Sequence, residues 1–307
     1  MLIQRAQVAV EIEDTEGTAE DLVGADVFLA FNPAFEPIIE AHERDPVRSS
    51  LSPHGSVFGK RSARMTFDVE LVGTAAAGSA IHFADALKAC GVGETLVGGT
   101  SATYKPASSS IPSVTLALYM DGKIYKMWGA RGTAKLLLEA GKAGIISFEF
   151  LGADFSEADG ALLSDGVSYN SVKPPTFQSA SLTVDSYAAI VSRLEIDLGN
   201  ALSLRQDANT SSGHKSAVIT NRRPTIGFDP ENVLVATEDF LGNWRSGTEM
   251  AFTTTIGSVA GNTIAVTAPK VQYQEAKLGD REGVSMVDLL GLCCLNSGDD
   301  EWQIAIT

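Results

Sequence analysis

Residues 64–71 read Arg-Met-Thr-Phe-Asp-Val-Glu-Leu, with polar and apolar side chains in strict alternation. Successive side chains of a strand point to opposite faces, so Met65, Phe67, Val69 and Leu71 share an apolar face and Arg64, Thr66, Asp68 and Glu70 a wet one. The same period returns along the chain. Val114, Leu116, Leu118 and Met120 alternate with smaller or polar neighbours, and Asp121-Gly122 then supplies a two-residue hairpin turn before Lys123-Ile124-Tyr125. Ile146, Phe148 and Phe150 repeat it, as do Leu194, Ile196 and Leu198 against Arg193, Glu195 and Asp197. Val271 with Tyr273, and Trp302, Ile304 and Ile306, complete the set. Strands with one wet face are antiparallel by default, so the fold is mainly β.

Helical signals are few. Ile81, Ala84 and Leu87 make one stripe in Ala80–Cys90, with Gly91 as its cap, and Val233–Trp244 is a weaker second candidate. The glycine-rich Gly91–Gly99 reads as a link to the next strand. Ala153–Pro175, rich in Ser, Asp, Gly and Pro, reads as a connection between domains.

The chain has 307 residues, enough for about two domains. At 44 % hydrophobic and 20 % charged, with mean hydropathy +0.08, it has the apolar surface that a disordered chain lacks. Its longest apolar runs are short of a bilayer span, and the acidic N-terminal stretch does not read as a signal peptide. Three cysteines, Cys90, Cys293 and Cys294, offer no disulfide framework, which points to synthesis in a reducing cytoplasm. Twenty-three basic against 38 acidic residues give −15, the opposite of a phosphate-gripping nucleic-acid binder. The acidity is spread over both halves.

The halves also resemble each other. At a shift of 161 Arg44 meets Arg205, Ser50 meets Ser211, Val57 meets Val218, Arg61 meets Arg222 and Phe67-Asp68 meets Phe228-Asp229. At a shift of 139 Gly122 meets Gly261, Gly144 meets Gly283, Glu149 meets Asp288 and Leu151-Gly152 meets Leu290-Gly291. A duplication follows, with domains at 1–155 and 172–307, a linker at 156–171, and Phe67 expected over Phe228 and Gly152 over Gly291.

No motif carries catalysis. His42, His54, His82 and His214 stand outside metal-ligand spacings, and His54 and His214, at nearly equivalent places in two polar loops, read as solvated loop residues rather than as a metal pair. GxSxG, GxxxxGK[ST] and GxGxxG before a helix are absent, so no catalytic residue, cofactor or metal is expected. Asp280-Arg281-Glu282-Gly283 and Ser297-Gly298-Asp299-Asp300-Glu301 suit hairpin turns better than a hard-cation site or a carboxylate pair. Cys293-Cys294 lacks the redox spacing and reads as buried apolar filling.

Two long polar stretches stand out instead. Arg44–Lys60 and Arg205–Asn221 are basic in an acidic protein, and loops of such length are commonly functional. A basic loop against an acidic body suits stacking of identical subunits. The candidate assembly residues are Arg44, Arg48, His54, Lys60, Arg61, Arg205, His214, Lys215 and Arg222.

This pattern resembles the tail tube (major tail) proteins of long-tailed bacteriophages. The features that carry the resemblance are the segment Glu11–Thr18, a first strand at Asp26–Phe31, the loop Arg44–Lys60 leading into a strand at Arg61–Val72, a helix ending Leu87-Lys88-Ala89-Cys90-Gly91, the Tyr119–Lys126 hairpin and the strand Ile145–Gly152. The resemblance implies two tandem antiparallel β-sandwich or barrel domains, each with one flanking helix. It implies rings of three chains stacked into a hollow tube, with a tail terminator, a tape measure and a distal tail protein as neighbours. It implies a place in the virion tail, with no membrane partner, and DNA passing through without specific binding. A polyanion slides best past a like-charged wall, so Asp68 and Glu70 or Glu195 and Asp197 are expected to face the channel. Charge that faces outward for solubility alone is the competing reading. A carbohydrate-binding or adhesin β-sandwich using Trp128, Trp244 and Trp302, and a β-rich hydrolase, are the alternative classes.

Overall fold

The computed structural model describes residues 2–307. The first half of the chain forms β1 (Ala6–Ile12), β2 (Val27–Phe28), β3 (Phe31–His42), β4 (Val57–Glu70), α1 (Ala84–Ala89), β5 (Val92–Val97), β6 (Ser101–Pro106), β7 (Val114–Met120), β8 (Gly122–Glu139), β9 (Ile145–Gly152) and β10 (Asp154–Gly160). The second forms β11 (Thr183–Val184), β12 (Arg193–Asp197), β13 (Asn200–Gln206), β14 (His214–Arg222), β15 (Thr225–Phe228), α2 (Phe240–Ser246), β16 (Glu249–Ile256), β17 (Ile264–Arg281), β18 (Val284–Cys293) and β19 (Gln303–Ile306). Every strand ladder is antiparallel, as one-sided alternation requires.

β8 organises the first half. Its first part pairs with β7 and β10, and its second with β9, which pairs in turn with β4. The strand passes between layers at Gly129, whose φ of +60° favours glycine. A Cβ there would stand 3.0 Å from that of Ala153 and 3.2 Å from the Lys215 carbonyl oxygen. Between the layers Phe67 stacks on Phe148 and Phe150, with ring centroids 5.3 and 5.8 Å away. Met65, Leu116, Leu118 and Met127 close around them. Each such side chain contributes about 1.5–3 kcal/mol by leaving water.

The halves share one sheet. β12 lies on the far edge of β8, with Ile196 opposite Leu136, and continues through β15, β18 and β17. β6 pairs with β19 in a second junction.

The ladders repeat. Ile39 lies opposite Arg61 and Phe58 opposite Ala41, while Asn200 lies opposite Arg222 and Ile219 opposite Leu202, every residue 161 further on. The second block departs from the expected shift of 139. Arg131 opposite Leu151 corresponds to Gln272 opposite Leu292, a shift of 141. Gly152 therefore matches Cys293, and Phe150 matches Gly291. The cause is slack at the hairpin turns and bulges, including one between Tyr273 and Glu275 that adds a further residue to β17.

Four other expectations change. α1 begins only at Ala84, because the Ile81 N–H donates to Tyr104 Oη (3.0 Å) rather than to a cap. α2 is displaced to Phe240–Ser246, where Asp239 accepts from the Gly242 N–H and Gly247 in the left-handed region ends it. Gly91–Gly99 is no mere link, since it contains β5. The supposed linker opens with β10, paired with β8, and Leu162, Leu163 and Val167 then pack over Ala9, Val27 and Tyr119. The Asp121-Gly122 turn is as expected, with Met120 opposite Lys123.

Candidate channel face and assembly arms

Four strands, β4, β9, β8 and β12, present one continuous polar face. Asp68 lies opposite Ser147, Ser147 opposite Lys135, and Lys135 opposite Asp197, so one row crosses both halves of the chain. The alternate residues Phe67, Phe148, Ala134 and Ile196 are buried beneath it. Within Arg64–Glu70, Ile145–Glu149, Thr133–Glu139 and Arg193–Asp197 the face carries Asp68, Glu70, Glu149, Glu139, Glu195 and Asp197 against Arg64, Lys135 and Arg193. All four acidic residues expected at a channel thus stand on one face, with carboxylates in the majority.

Their partners hold them in place. Asp68 accepts from Ser147 Oγ at 2.6 Å and Asn32 Nδ2 at 3.0 Å. Asp197 accepts from the Gly199 N–H at 2.8 Å. Arg64 pairs with Glu149 at 3.2 Å, and both Lys135 and Arg193 pair with Glu195. Glu70 and Asp68 keep the wet orientation that the period of β4 dictates.

The two arms differ. The β3–β4 arm ends in residues 43–56, all exposed, and Arg44, Arg48 and His54 stand free there. Arg205–Asn221 is not a loop: it is the hairpin β13–β14, folded back on the first half with only 207–213 as its turn. Its polar composition hides the strands: one face carries Leu202, Leu204, Ala217 and Ile219, while Arg205 and buried Ser216 meet a polar network. Arg205 pairs with Glu16 at 3.0 Å, Ser216 Oγ donates to Glu16 at 2.9 Å, and Arg131 joins Glu16 at 2.8 Å and the Ala217 carbonyl. Burial pushes the Glu16 carboxyl up, but the bonds from Arg131 and Ser216 and the charges of Arg131 and Arg205 outweigh it and hold it below the ordinary range.

The other assembly candidates serve this docking. Arg61 grips Asp154 with two bonds, 2.6 and 3.1 Å, and its backbone N–H donates to the Ser212 carbonyl. His214 is buried, not solvated, with Nδ1 3.1 Å from the Arg61 carbonyl oxygen. The Lys60 stem lies against Gly213, and the Lys215 side chain is exposed while its carbonyl faces Gly129. Arg222, in the place of Arg61, binds Asp299 and Glu301 at 2.9 and 2.8 Å. Composition alone missed this internal clamp. The signal was Glu13-x-x-Glu16, since Glu13 is buried and accepts from Gly17, Ser113 and Gly129.

The competing chemistries find little support. Asp300 accepts from the N–H groups of Ser297 and Gly298, and Asp280 from that of Gly283, as turn residues do. Among the described residues no three His, Cys, Asp or Glu side chains are grouped to hold a metal. Burial pushes the Cys293 thiol up to about 12 and the Cys90 thiol up as well, away from reactivity. Trp302 is buried in the core while Trp244 is exposed on α2, so the tryptophans form no common platform.

The polar face crosses both halves of the chain, and the β3–β4 arm stands unsupported at the edge of the sheet. The family model described as phage tail tube protein matches residues 3–289, nearly the whole chain. The protein belongs to that family, a structural component of the phage tail rather than an enzyme family. No curated protein matches it. No helix among the described residues is long and apolar enough to cross a membrane.

Proposed function

We propose that three chains close into a ring, that rings stack into the hollow tail tube, and that DNA leaves the virion through it into the host. The row Asp68, Ser147, Lys135, Asp197 carries this reading, because it makes one acidic-majority face out of both halves. With that face inward, like charge keeps the duplex off the wall over roughly a Debye length, about 8 Å at physiological salt. A closed barrel also removes the sheet edges that would otherwise aggregate. The chain is made in the host cytoplasm and meets a tail terminator, a tape measure and a distal tail protein at the ends of the tube.

The free tip of the β3–β4 arm, with Arg44 and Arg48, reaches the next ring. The 205–221 hairpin is docked on its own chain, which favours the β3–β4 tip over it for that role. Negative-stain microscopy of the purified chain at rising concentration tests the reading: stacked rings with an open channel are expected, and a monodisperse monomer at every concentration refutes it. Excising Val47–Ser52 should leave rings that no longer stack; long tubes from that variant would remove the loop from ring stacking.

A further inference from the structure

The chain contains a sample of the joint between neighbouring halves. β12 adds to the free side of β8 with Arg193 opposite Glu139, Ile196 opposite Leu136 and Asp197 opposite Lys135. Leu136 and Ile196 are thereby buried to 3 % and 2 % exposure.

Both partners of this joint recur without each other. β3 stands to β4 as β12 stands to β15: Phe35 lies opposite Met65 where Ile196 lies opposite Ile226, at the same shift of 161. The end of β17 stands to β18 as β8 stands to β9: Lys277 is opposite Asp288 where Lys135 is opposite Ser147, and Leu278 opposite Val287 where Leu136 is opposite Ile146. Among the described residues β3 has a ladder only with β4, and Lys277–Arg281 only with β18. Leu278, in the place of buried Leu136, is 68 % exposed.

We propose that β3 of one copy adds antiparallel to β17 of the neighbouring copy in the register of the internal joint. Phe35 then lies opposite Leu278, Glu36 opposite Lys277 and Asn32 opposite Arg281. The occupant of the β17 edge is a second copy of this chain, because only the register of β3 repeats that of β12. Phe35 and Leu278 cover each other as Ile196 and Leu136 do. Glu36 meets Lys277 with the charge order of Asp197 and Lys135, drawing Lys277 from its exposed pairing with Glu275 at 2.6 Å. The alternative registers place Glu36 against Glu275 or Gly279.

Two prolines sharpen the selection. In the internal joint Leu198 donates its N–H to the Ala134 carbonyl. Pro37 occupies the place of Leu198 and Pro33 that of Leu194, so this edge offers β17 the Phe35 N–H and the carbonyls of Pro33, Phe35 and Pro37 but no proline donor. An edge with so few donors resists indiscriminate pairing and relies on side chains to choose its register.

The proposal rests on the ring reading above, and its test separates the two. Glu36→Cys with Lys277→Cys is made in the full chain, with partly exposed Cys294 replaced by Ser. The pair occupies the close-spaced, non-hydrogen-bonded position that Asp197 and Lys135 hold, where a disulfide fits. Oxidation during assembly should convert most of the chain to a closed covalent oligomer on a non-reducing gel, reversed by reductant. Ala34→Cys with Lys277→Cys, two residues out of register, should remain mostly uncrosslinked. Glu36→Lys should lower tube yield at least tenfold, and adding Lys277→Glu should restore it. Tubes that form without the 36–277 crosslink, or that crosslink equally at 34–277, overturn the register and leave the tube reading standing. A wild-type chain that never assembles overturns both.

Discussion

Glu11 lies on β1 beside the carboxyl of Asp26, with Asp85 of α1 and Glu20 also near. Burial first, then the hydrogen bond and charge of Asp26, push it up from 4.5 to about 7. A carboxyl that the fold prefers protonated adds stability that is complete below about pH 4.5 and lost as the pH rises through about 7. Thermal melts should therefore fall between pH 5 and 8, and Glu11→Gln should flatten that fall; an unchanged slope would assign it to other groups. Arg61 makes a second residue-scale case. Its removal strands the carboxylate of Asp154, whose side chain is only 6 % exposed, and loosens the hairpin held by Ser211 and Ser212. Arg61→Ala should cost about 1–2 kcal/mol in urea unfolding, because Arg61 is 39 % exposed and Asp154 keeps its bonds from Ser211 and the Phe155 N–H. A loss under 0.5 kcal/mol would mean that the clamp is idle. Sequence reading placed Arg61 and Arg222 in assembly loops because a basic residue between polar neighbours carries no mark of the carboxylate it meets 93 or 77 positions away.

At the scale of elements, legibility followed the chemistry of what each strand covers. β4, β9 and β12 alternate cleanly because one face meets Phe67, Phe148 and Ile196 and the other meets water. β13 and β14 are masked by their charged and polar residues: Leu202 and Leu204 do alternate over Ile219 and Ala217, but Arg205 and Ser216 beside them dock on Glu16 and give the stretch a loop's composition. β10 has the composition of a linker, with Ser156, Glu157 and Asp159, yet β8 supplies its hydrogen bonds. The β3–β4 arm is the reverse case, a strand pair with nothing beneath it. Ile39, Val57 and Phe58 are 51, 50 and 72 % exposed there, although an isolated two-stranded ribbon is marginal in water. Phe58→Asp should leave the melting temperature of the free chain within about 1 °C and abolish tubes, since an exposed site contributes little to folding. A lowered melting temperature would show that the arm packs within its own chain.

For the whole molecule, the proposed inward orientation of the acidic face predicts how a tube treats DNA. Replacing Asp68, Glu195 and Asp197 together by Lys changes the charge of each subunit by six and puts cations along the β4–β12 row. Tubes of that variant should retain duplex DNA at 50 mM salt and release it by 200 mM, because phosphate contacts weaken steeply with salt. Wild-type tubes should retain none at either salt, and DNA held equally by both would place this face away from the channel.

The ladder between β8 and β12 has one more consequence. It is a junction the polypeptide makes with itself while folding, so half of the junctions in a ring of such chains need no collision. Each collision that is avoided spares roughly 4–15 kcal/mol of lost translational and rotational freedom. In the proposed ring it also fixes parity: halves enter only in pairs, so closures of five or seven halves are barred, and an error in ring size must jump by two places at once.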